Sequence, residues 1–467
     1  MSKKTKDINV GIVAGMADLY NRVWPDLPVQ LNSLLKQLPE NLKADNLKFL
    51  MTGIASTKEQ FAIEVKKLVD KDVDLIVVSL APYCASGVMS ETLSKTNVPL
   101  LLWPTQTIFE LEPENYDMSA ISLNHGVHAV QDLSNVLRKN GKAVGVIHGH
   151  WKQDDFKEEF VGWAKAARAI RSMAKANPVQ IGGHFEDMLD LQIGSDAFID
   201  KLGIKHTAIS LDEFCEIFNG VQQEKIEQYV SSYQSKFVIS DGFSKEILDK
   251  AARGDIALRE VMEKYNSSAF GLNFLELCND SRLAEPLHLA GSVQMSEGLG
   301  YAAEGDWVTA AFVYAMQQAF GIASFSEIFS VGYNDNRLVL RHWGEGNFEM
   351  AREDPELLSS ALTDLNKAEF AIVNFEFEPG QITLLNINST PDGCGQIITI
   401  AGEITKDKLP KTDGPRAIFK PACKDVRELL TNYAYNGGSH HLVMVKGDGV
   451  PVAEKICKLI GWKHVSL

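Results

Sequence analysis

The stretch EGLGYAAEGDWVTAA, Glu297 to Ala311, places two carboxylates, Glu304 and Asp306, among glycines and alanines just ahead of an apolar run. A glycine-rich turn at the start of a helix can cradle a phosphate on its backbone N–H groups. Here Gly298, Gly300 and Gly305 miss the GxGxxG spacing, no clear strand leads into them, and no Gly-Lys-Ser/Thr follows. The phosphate reading is therefore weak. Asp306 suits the N-cap of the helix predicted over WVTAAFVYAMQQAF, where the helix dipole also favours an acid. Glu304, just before that cap, is left without a structural job.

Few other polar residues stand in apolar settings. Glu327 sits in SFSEIFSVGY among Phe325, Ile328 and Phe329. His342 ends RLVLRHW and, by strand alternation, shares a face with Leu338 and Leu340. His440 and His441 open HHLVMV after NGGS. Each histidine alone reads first as a satisfied interior side chain. Two glutamates and two or three histidines together form a mixed oxygen and nitrogen ligand set. That set suits a six-coordinate, Mn2+-like ion with open positions better than a closed structural zinc site.

The elements that must position these residues alternate along the first part of the chain. INVGIVAG (Ile8–Gly15), LKFLMTG (Leu47–Gly53), DLIVVSLA (Asp74–Ala81), VPLLLW (Val98–Trp103) and KAVGVIHG (Lys142–Gly149) read as strands buried on both faces. Helical patterns separate them; in one, Thr57 is expected to cap TKEQFAIEVKKLVDKD, with Gln60 completing a capping box. A long helix is predicted over Gln153 to Ala176, and PVQIGGHF, HTAIS, LDEFCEIF and SKEILDKAARGDIALREVMEKY continue the α/β alternation. Beyond Phe325 the texture turns β-rich, with EPGQ read as a tight turn between two strands and helices near 424–434 and 451–460 closing the unit. The expected class is α/β: two Rossmann- or flavodoxin-like parallel domains (1–175 and 176–322), then a β-rich, antiparallel, barrel-like domain (323–467).

The 467 residues are 45% hydrophobic and 23% charged, an ordinary balance for a globular chain of two to four domains. A formal charge of -15 argues against nucleic acid as a partner. Six scattered cysteines without a CxxC pair fit reduced thiols in a cytosol. Asp7 interrupts the lysines of the N-terminus, no long apolar segment follows, and no apolar run approaches the length of a membrane span. A cytoplasmic location with no membrane partner is the expectation.

EGDW-TAA, SF-E, LVL-H and GG-HH, in that order, resemble the L-arabinose isomerase family and its L-fucose isomerase relatives. SLNHGVHAV (Ser122–Val130), Gly149-His150-Trp151 and LHLAGSVQMSEGLGY extend the likeness along the chain. The resemblance implies that Glu304, Glu327, His342 and His441 bind a divalent metal, usually manganese, with Co2+ or Mg2+ as alternatives. It makes His440 a second contact to the metal's surroundings or the substrate, and His128 a contribution from a neighbouring subunit. Met188 and Phe274 complete the implied sugar contacts. Homo-oligomers, hexamers or trimers with sites at subunit interfaces, are implied as well.

The reaction implied is aldose–ketose isomerisation of a small sugar through an enediol, with Glu304 and Glu327 as general base and acid. Three departures leave the sugar open. Met16 and Ala17 stand where the family usually has Gln and His, Leu189 replaces an arginine, and Val308 follows EGDW in place of a lysine. A sugar epimerase, or a non-catalytic cytoplasmic sugar-binding protein on the same fold, is the alternative. The aromatic rings of Trp103, Trp151, Phe274, Trp307 and Trp343 are candidates both for stacking on a sugar and for core packing.

Overall fold

The computed structural model describes residues 7–240, 243–361 and 369–467. The chain falls into two compact units, Met1–Arg171 with Pro451–Trp462, and Ser172–Val450 with Lys463–Leu467.

The first unit is built on a parallel five-stranded sheet of β1 (Ile8–Gly15), β2 (Leu47–Ala55), β3 (Leu75–Ser79), β4 (Leu100–Trp103) and β5 (Gly145–Val146), in the order β2-β1-β3-β4-β5. β1, β3 and β4 are almost wholly buried, as their Val/Ile/Leu runs require between two helical layers. β2 corrects the expectation of burial on both faces: it is the edge strand, and of its nine residues only Ala55 is buried. Thr57 caps the helix Lys58–Asp70 by accepting the Gln60 N–H at 3.3 Å. The return bond differs from the expected capping box, because the Gln60 side chain accepts from Ser56 N–H at 2.9 Å, one residue earlier. The long helix runs Phe156–Ala174. The helix Val450–Ile460, expected to close the β-rich unit, instead places Lys455 over the ring of Trp163 on that long helix at 5.4 Å.

The second unit holds a parallel sheet of β6 (Val179–Ile181), β7 (Thr207–Ile209), β9 (Ala269–Leu272) and β10 (Gly300–Ala303), in the order β10-β9-β6-β7. β10 is a strand where none was expected. Its four residues, GYAA, are too few and too small to register as a strand in sequence, yet all are buried. A three-stranded sheet joins β8 (Val238–Ile239) to β13 (Glu356–Ala361) and β14 (Glu369–Asn374).

The remaining strands form a closed antiparallel barrel. β11 (Ala323–Gly332), β12 (Arg337–Arg341), β15 (Gly380–Ser389), β16 (Gly395–Ile404), β17 (Arg416–Pro421) and β18 (His441–Lys446) pair in the ring β15-β18-β11-β12-β17-β16, and β15–β16 pairing closes it. β19 (Lys463–Ser466) pairs in parallel with the first half of β16, whose last residues pair with β17. EPGQ is not a hairpin turn, because β14 belongs to the three-stranded sheet and β15 to the barrel. The class is thus the expected one, parallel α/β sheets followed by a barrel. All six cysteines are free thiols. Among the described residues no helix is long and apolar enough to cross a membrane.

Candidate active site

Glu304 stands where β10 runs out and the chain turns into the helix Trp307–Phe320. That helix is apolar all round and buried along almost its whole length, which fixes it in the core. Asp306 caps it, accepting the Thr309 N–H at 2.9 Å, as the sequence predicts. The turn is held in an unusual shape. Glu304 has φ +59°, a left-handed conformation that costs a non-glycine residue ~1–2 kcal/mol. Four hydrogen bonds impose it: Phe185 N–H to the Glu304 carbonyl (3.2 Å), Gly305 N–H to Leu272 (3.1 Å), Asp306 N–H to Ala303 (3.0 Å), and Gln180 Nε2 to the Gly305 carbonyl (2.7 Å). Gly305 must be glycine, since a Cβ there would stand 2.0 Å from the Gly183 carbonyl oxygen. A backbone strained by its surroundings around one buried carboxylate is a pattern found at functional sites.

Glu327 comes from the barrel. It lies opposite His441 of β18 on one side and Arg341 of β12 on the other. His342 follows Arg341 directly, so three neighbouring strands, β12, β11 and β18, bring His342, Glu327 and His441 to one patch. Phe325, two residues before Glu327 and on the same face, packs edge-on against both imidazoles with centroids at 4.8 Å.

The polar atoms meet in one place. His441 Nε2 lies 3.2 Å from Glu304 Oε2 and 3.3 Å from Glu327 Oε1. His440 Nε2 is 3.0 Å from Glu304 Oε2, and His342 Nε2 is 3.5 Å from Glu327 Oε1. One ligand atom from each of Glu304, Glu327, His440 and His441 falls within 4.8 Å of all the others. Each ring is held from behind by a carboxylate: His441 Nδ1 by Asp306 at 2.8 Å, His440 Nδ1 by Asp190 at 2.7 Å, and His342 Nδ1 by Glu345 at 2.7 Å. An acceptor at Nδ1 fixes the proton there and leaves Nε2 to face the centre.

Electrostatics follow from this crowding. Burial alone would raise the Glu304 carboxyl, but hydrogen bonds from His440 and His441 hold it well below the usual carboxylate range. Burial would likewise lower the histidines; instead Asp190 and Glu304 raise His440 to about 9, and Asp306 and Glu304 raise His441 well above its ordinary value. His342 is also raised: burial opposes its charge, and Glu345 and Glu327 outweigh that. Without a metal, then, protons on the imidazoles balance the two glutamates. Glu327 Oε1 is buried and makes no aligned hydrogen bond, with His441 Nε2 at 3.3 Å and His342 Nε2 at 3.5 Å as its neighbours. A buried carboxylate oxygen with imidazole nitrogens around it is a fitting donor set for a divalent cation, which would replace those protons.

Two family models match the chain, the L-arabinose isomerase N-terminal domain over residues 4–175 and the L-arabinose isomerase central domain over residues 197–320. The chain belongs to the L-arabinose isomerase family. Relatives include the L-arabinose isomerase of Thermotoga sp. (strain RQ2), 26% identical over 374 residues, covering 78% of this chain and 75% of that protein. The L-arabinose isomerase of Vibrio parahaemolyticus is 21% identical over 384 residues, covering 80% and 76% respectively. As a divergent member of this family, the chain keeps Glu304 inside the model-matched segments, whereas Glu327, His342, His440 and His441 lie beyond residue 320, on the barrel.

The other residues implied by the family resemblance lie in several places. His128 belongs to the first unit, on the helix Gly126–Lys139, with Nδ1 3.2 Å from His125 and its ring 4.8 Å from that of Tyr83. Met188, half-buried, precedes the short turn Leu189–Leu191 that carries Asp190. Phe274 is buried between Phe185 (4.9 Å) and His288 (5.3 Å). Trp103 and Trp307 are core residues, Trp307 stacked on His206 at 4.7 Å. Leu189 and Val308, two of the departures from the family pattern, line one cavity of about 470 Å3 together with Asp190 and Asp306.

Sequence reasoning missed Asp190 and Glu345, and it gave Asp306 only the capping half of its work. The available signal for Glu345 was an acid between two glycines, three residues after a histidine already singled out.

Proposed function

We propose that the chain is a metal-dependent aldose–ketose isomerase of a small sugar, working through an enediol. The observation that carries the reading is the convergence of Glu304 and Glu327 on imidazole Nε2 atoms whose Nδ1 atoms are each held by a carboxylate. Glu304, Glu327, His342 and His441 would hold the divalent cation, Mn2+ in preference to Co2+ or Mg2+. Bound there, it would polarise the sugar carbonyl and offset charge developing on the sugar oxygens.

The chain's own groups supply the proton transfers. An aldose becomes a ketose when the C2 proton leaves, the O2 hydroxyl hydrogen passes to O1, and a proton is returned at C1. Glu304 and Glu327 are the general base and acid for the carbon-bound proton. They arrive from different elements, the end of a parallel strand and the wall of the barrel, and so can flank a planar enediol. Glu304 is hydrogen-bonded by His440 and His441, whereas Glu327 Oε1 makes no aligned hydrogen bond and has the imidazoles of His441 and His342 at 3.3 and 3.5 Å. Asp190 orients His440, whose one-third exposed ring is placed to bond a sugar hydroxyl.

The relatives are named for L-arabinose; the sugar is left open for this chain, because Leu189 and Val308 depart from the family pattern close to Asp190 and Asp306. A homo-oligomer, hexamer or trimer, with His128 serving a neighbouring copy, belongs to the same proposal and is checked by the mass in solution.

The test is exchange of the migrating proton. In D2O with Mn2+ and a substrate aldose, the ketose should carry deuterium at C1, and Glu304→Gln or Glu327→Gln should each slow turnover by at least ~10²-fold. If both variants turn over like the parent, the proton-transfer assignment is wrong.

A further inference from the structure

We propose that Glu345 is a positioning residue of this site: its carboxylate, anchored by Tyr301 and His288, holds the His342 ring in the tautomer that presents Nε2 toward Glu327. The proposal rests on the cation-holding role given above to Glu304, Glu327, His342 and His441.

Glu345 is fully buried, between Gly344 and Gly346. A Cβ on Gly344, at φ +101°, would meet Ile372 at 2.9 Å and His288 at 3.1 Å, and one on Gly346 would meet Pro415 at 2.9 Å and Phe375 at 3.0 Å. Both glycines therefore pack too closely against their neighbours to carry a side chain. Burying an ionised carboxylate costs several kcal/mol unless donors surround it. Three do so, from three different elements: His342 Nδ1 at 2.7 Å, His288 Nδ1 and the Tyr301 hydroxyl.

Two features mark this as more than a satisfied interior acid. No lysine or arginine is among these partners, and unlike Asp306 it caps no helix. His288, moreover, has no further job in view. Its Nε2 is buried without a partner, and its ring is packed against Phe274 and Phe370 at 5.3 and 5.2 Å. With Tyr301, whose hydroxyl ends on the same Glu345 oxygen, it serves to keep a negative charge in place. The output of that charge is His342. A carboxylate only accepts, so a ring proton must sit on Nδ1, and it is Nε2, facing the side where Glu327 Oε1 lies at 3.5 Å, that would give up its proton and offer its lone pair to a cation. A metal-ligating histidine held in this way is a stronger and better-aimed ligand.

The test is Mn2+ binding to the metal-stripped full-length protein, followed by the electron paramagnetic resonance of free Mn2+, beside the unfolding midpoint of the same samples. Glu345→Gln keeps the shape but can no longer act as a pure acceptor. It should bind Mn2+ ~10–100-fold more weakly than the parent, with turnover recovering as Mn2+ is raised and the sugar KM unchanged. A merely structural role would lower the unfolding midpoint and leave Mn2+ affinity of the folded protein untouched, and that result overturns the proposal. Should Glu345→Gln not fold, Glu345→Asp keeps the charge and withdraws it by one methylene. A several-fold loss of affinity in that variant supports the proposal, and parental affinity overturns it. If the parent itself binds no Mn2+, the cation reading of the site fails; if the parent binds and the variants match it, only the role of Glu345 fails.

Discussion

Asp306 has two jobs in one side chain, and they can be separated by substitution. Oδ1 accepts the Thr309 N–H at 2.9 Å and caps the buried helix, while Oδ2 accepts from His441 Nδ1 at 2.8 Å. An N-cap is worth about 1 kcal/mol and a hydrogen bond to a charged group about 1.5–3 kcal/mol. Asp306→Ala loses both and should be destabilised by roughly 2–4 kcal/mol. Asp306→Asn retains the cap, because asparagine is an equally good N-cap, but it turns an NH2 toward His441 Nδ1. A donor cannot face a donor, so the ring must give up its Nδ1 proton and keep the one on Nε2, which Glu304 Oε2 accepts at 3.2 Å. The metal-free protein keeps that bond and should lose only about 1 kcal/mol, the charge assistance at Nδ1. The Nε2 lone pair, however, is now spent. Mn2+ binding should fall ~10–100-fold, or about 1.4–2.7 kcal/mol. Denaturant midpoints and Mn2+ titration of parent, Asn and Ala variants measure the two effects side by side. Asp306→Asn binding Mn2+ with parental affinity would refute the tautomer reasoning, whatever its stability.

Gly305→Ala should cost about 3 kcal/mol or more, since its Cβ would stand 2.0 Å from the Gly183 carbonyl oxygen at φ +78°, and the displaced Glu304 should weaken Mn2+ binding as well. A thermal midpoint like the parent's would show that the turn relaxes freely. The metal-stripped protein should lose stability as pH rises. His440, at about 9 in the folded chain and ~6.5 when unfolded, contributes stability that is complete below pH ~6.5 and gone above about 9. That contribution is about 1–2 kcal/mol once solvent screening at its partly exposed ring is allowed for, and His440→Gln should flatten the fall. Glu345 acts in the opposite sense: held at about 2 by its histidine partners despite burial, it contributes stability above pH ~4.3 that is lost as pH falls toward 2. Thr57→Ala, which removes one cap bond at 3.3 Å on an exposed helix start, should cost about 1 kcal/mol and leave Mn2+ binding unchanged.

The parts of this molecule legible in sequence are those decided by local chemistry. The run Ile8–Gly15 is a strand with the predicted ends, and Trp307–Phe320 is a helix with the predicted cap. Pairing between distant strands is not local. Glu327 meets His441 because β11 and β18 lie side by side across more than a hundred residues, and no spacing rule contains that. Polar residues in apolar settings singled out two glutamates and three histidines, and the resemblance to family motifs selected four of these as ligands. β10 was invisible because four small residues carry no periodicity, and burial by neighbours makes them a strand. EPGQ looked like a hairpin turn because sheet membership, which separates β14 from β15, lies outside the turn itself. Glu345 and Asp190 were missed for a related reason: an acid in a polar loop reads as solvated until the fold puts an imidazole beside it.

The central claim, that Glu304 and Glu327 with the histidines hold a divalent cation for aldose–ketose isomerisation, is tested most directly by one titration. Mn2+ is added stepwise to metal-stripped protein in the presence of aldopentoses and aldohexoses, and bound ion and ketose are measured together. The account predicts ketose from at least one aldose, rising in step with Mn2+ occupancy and saturating at one ion per site. Ketose formed at full rate in the presence of a chelator, or none from any aldose at full Mn2+ occupancy, would contradict it.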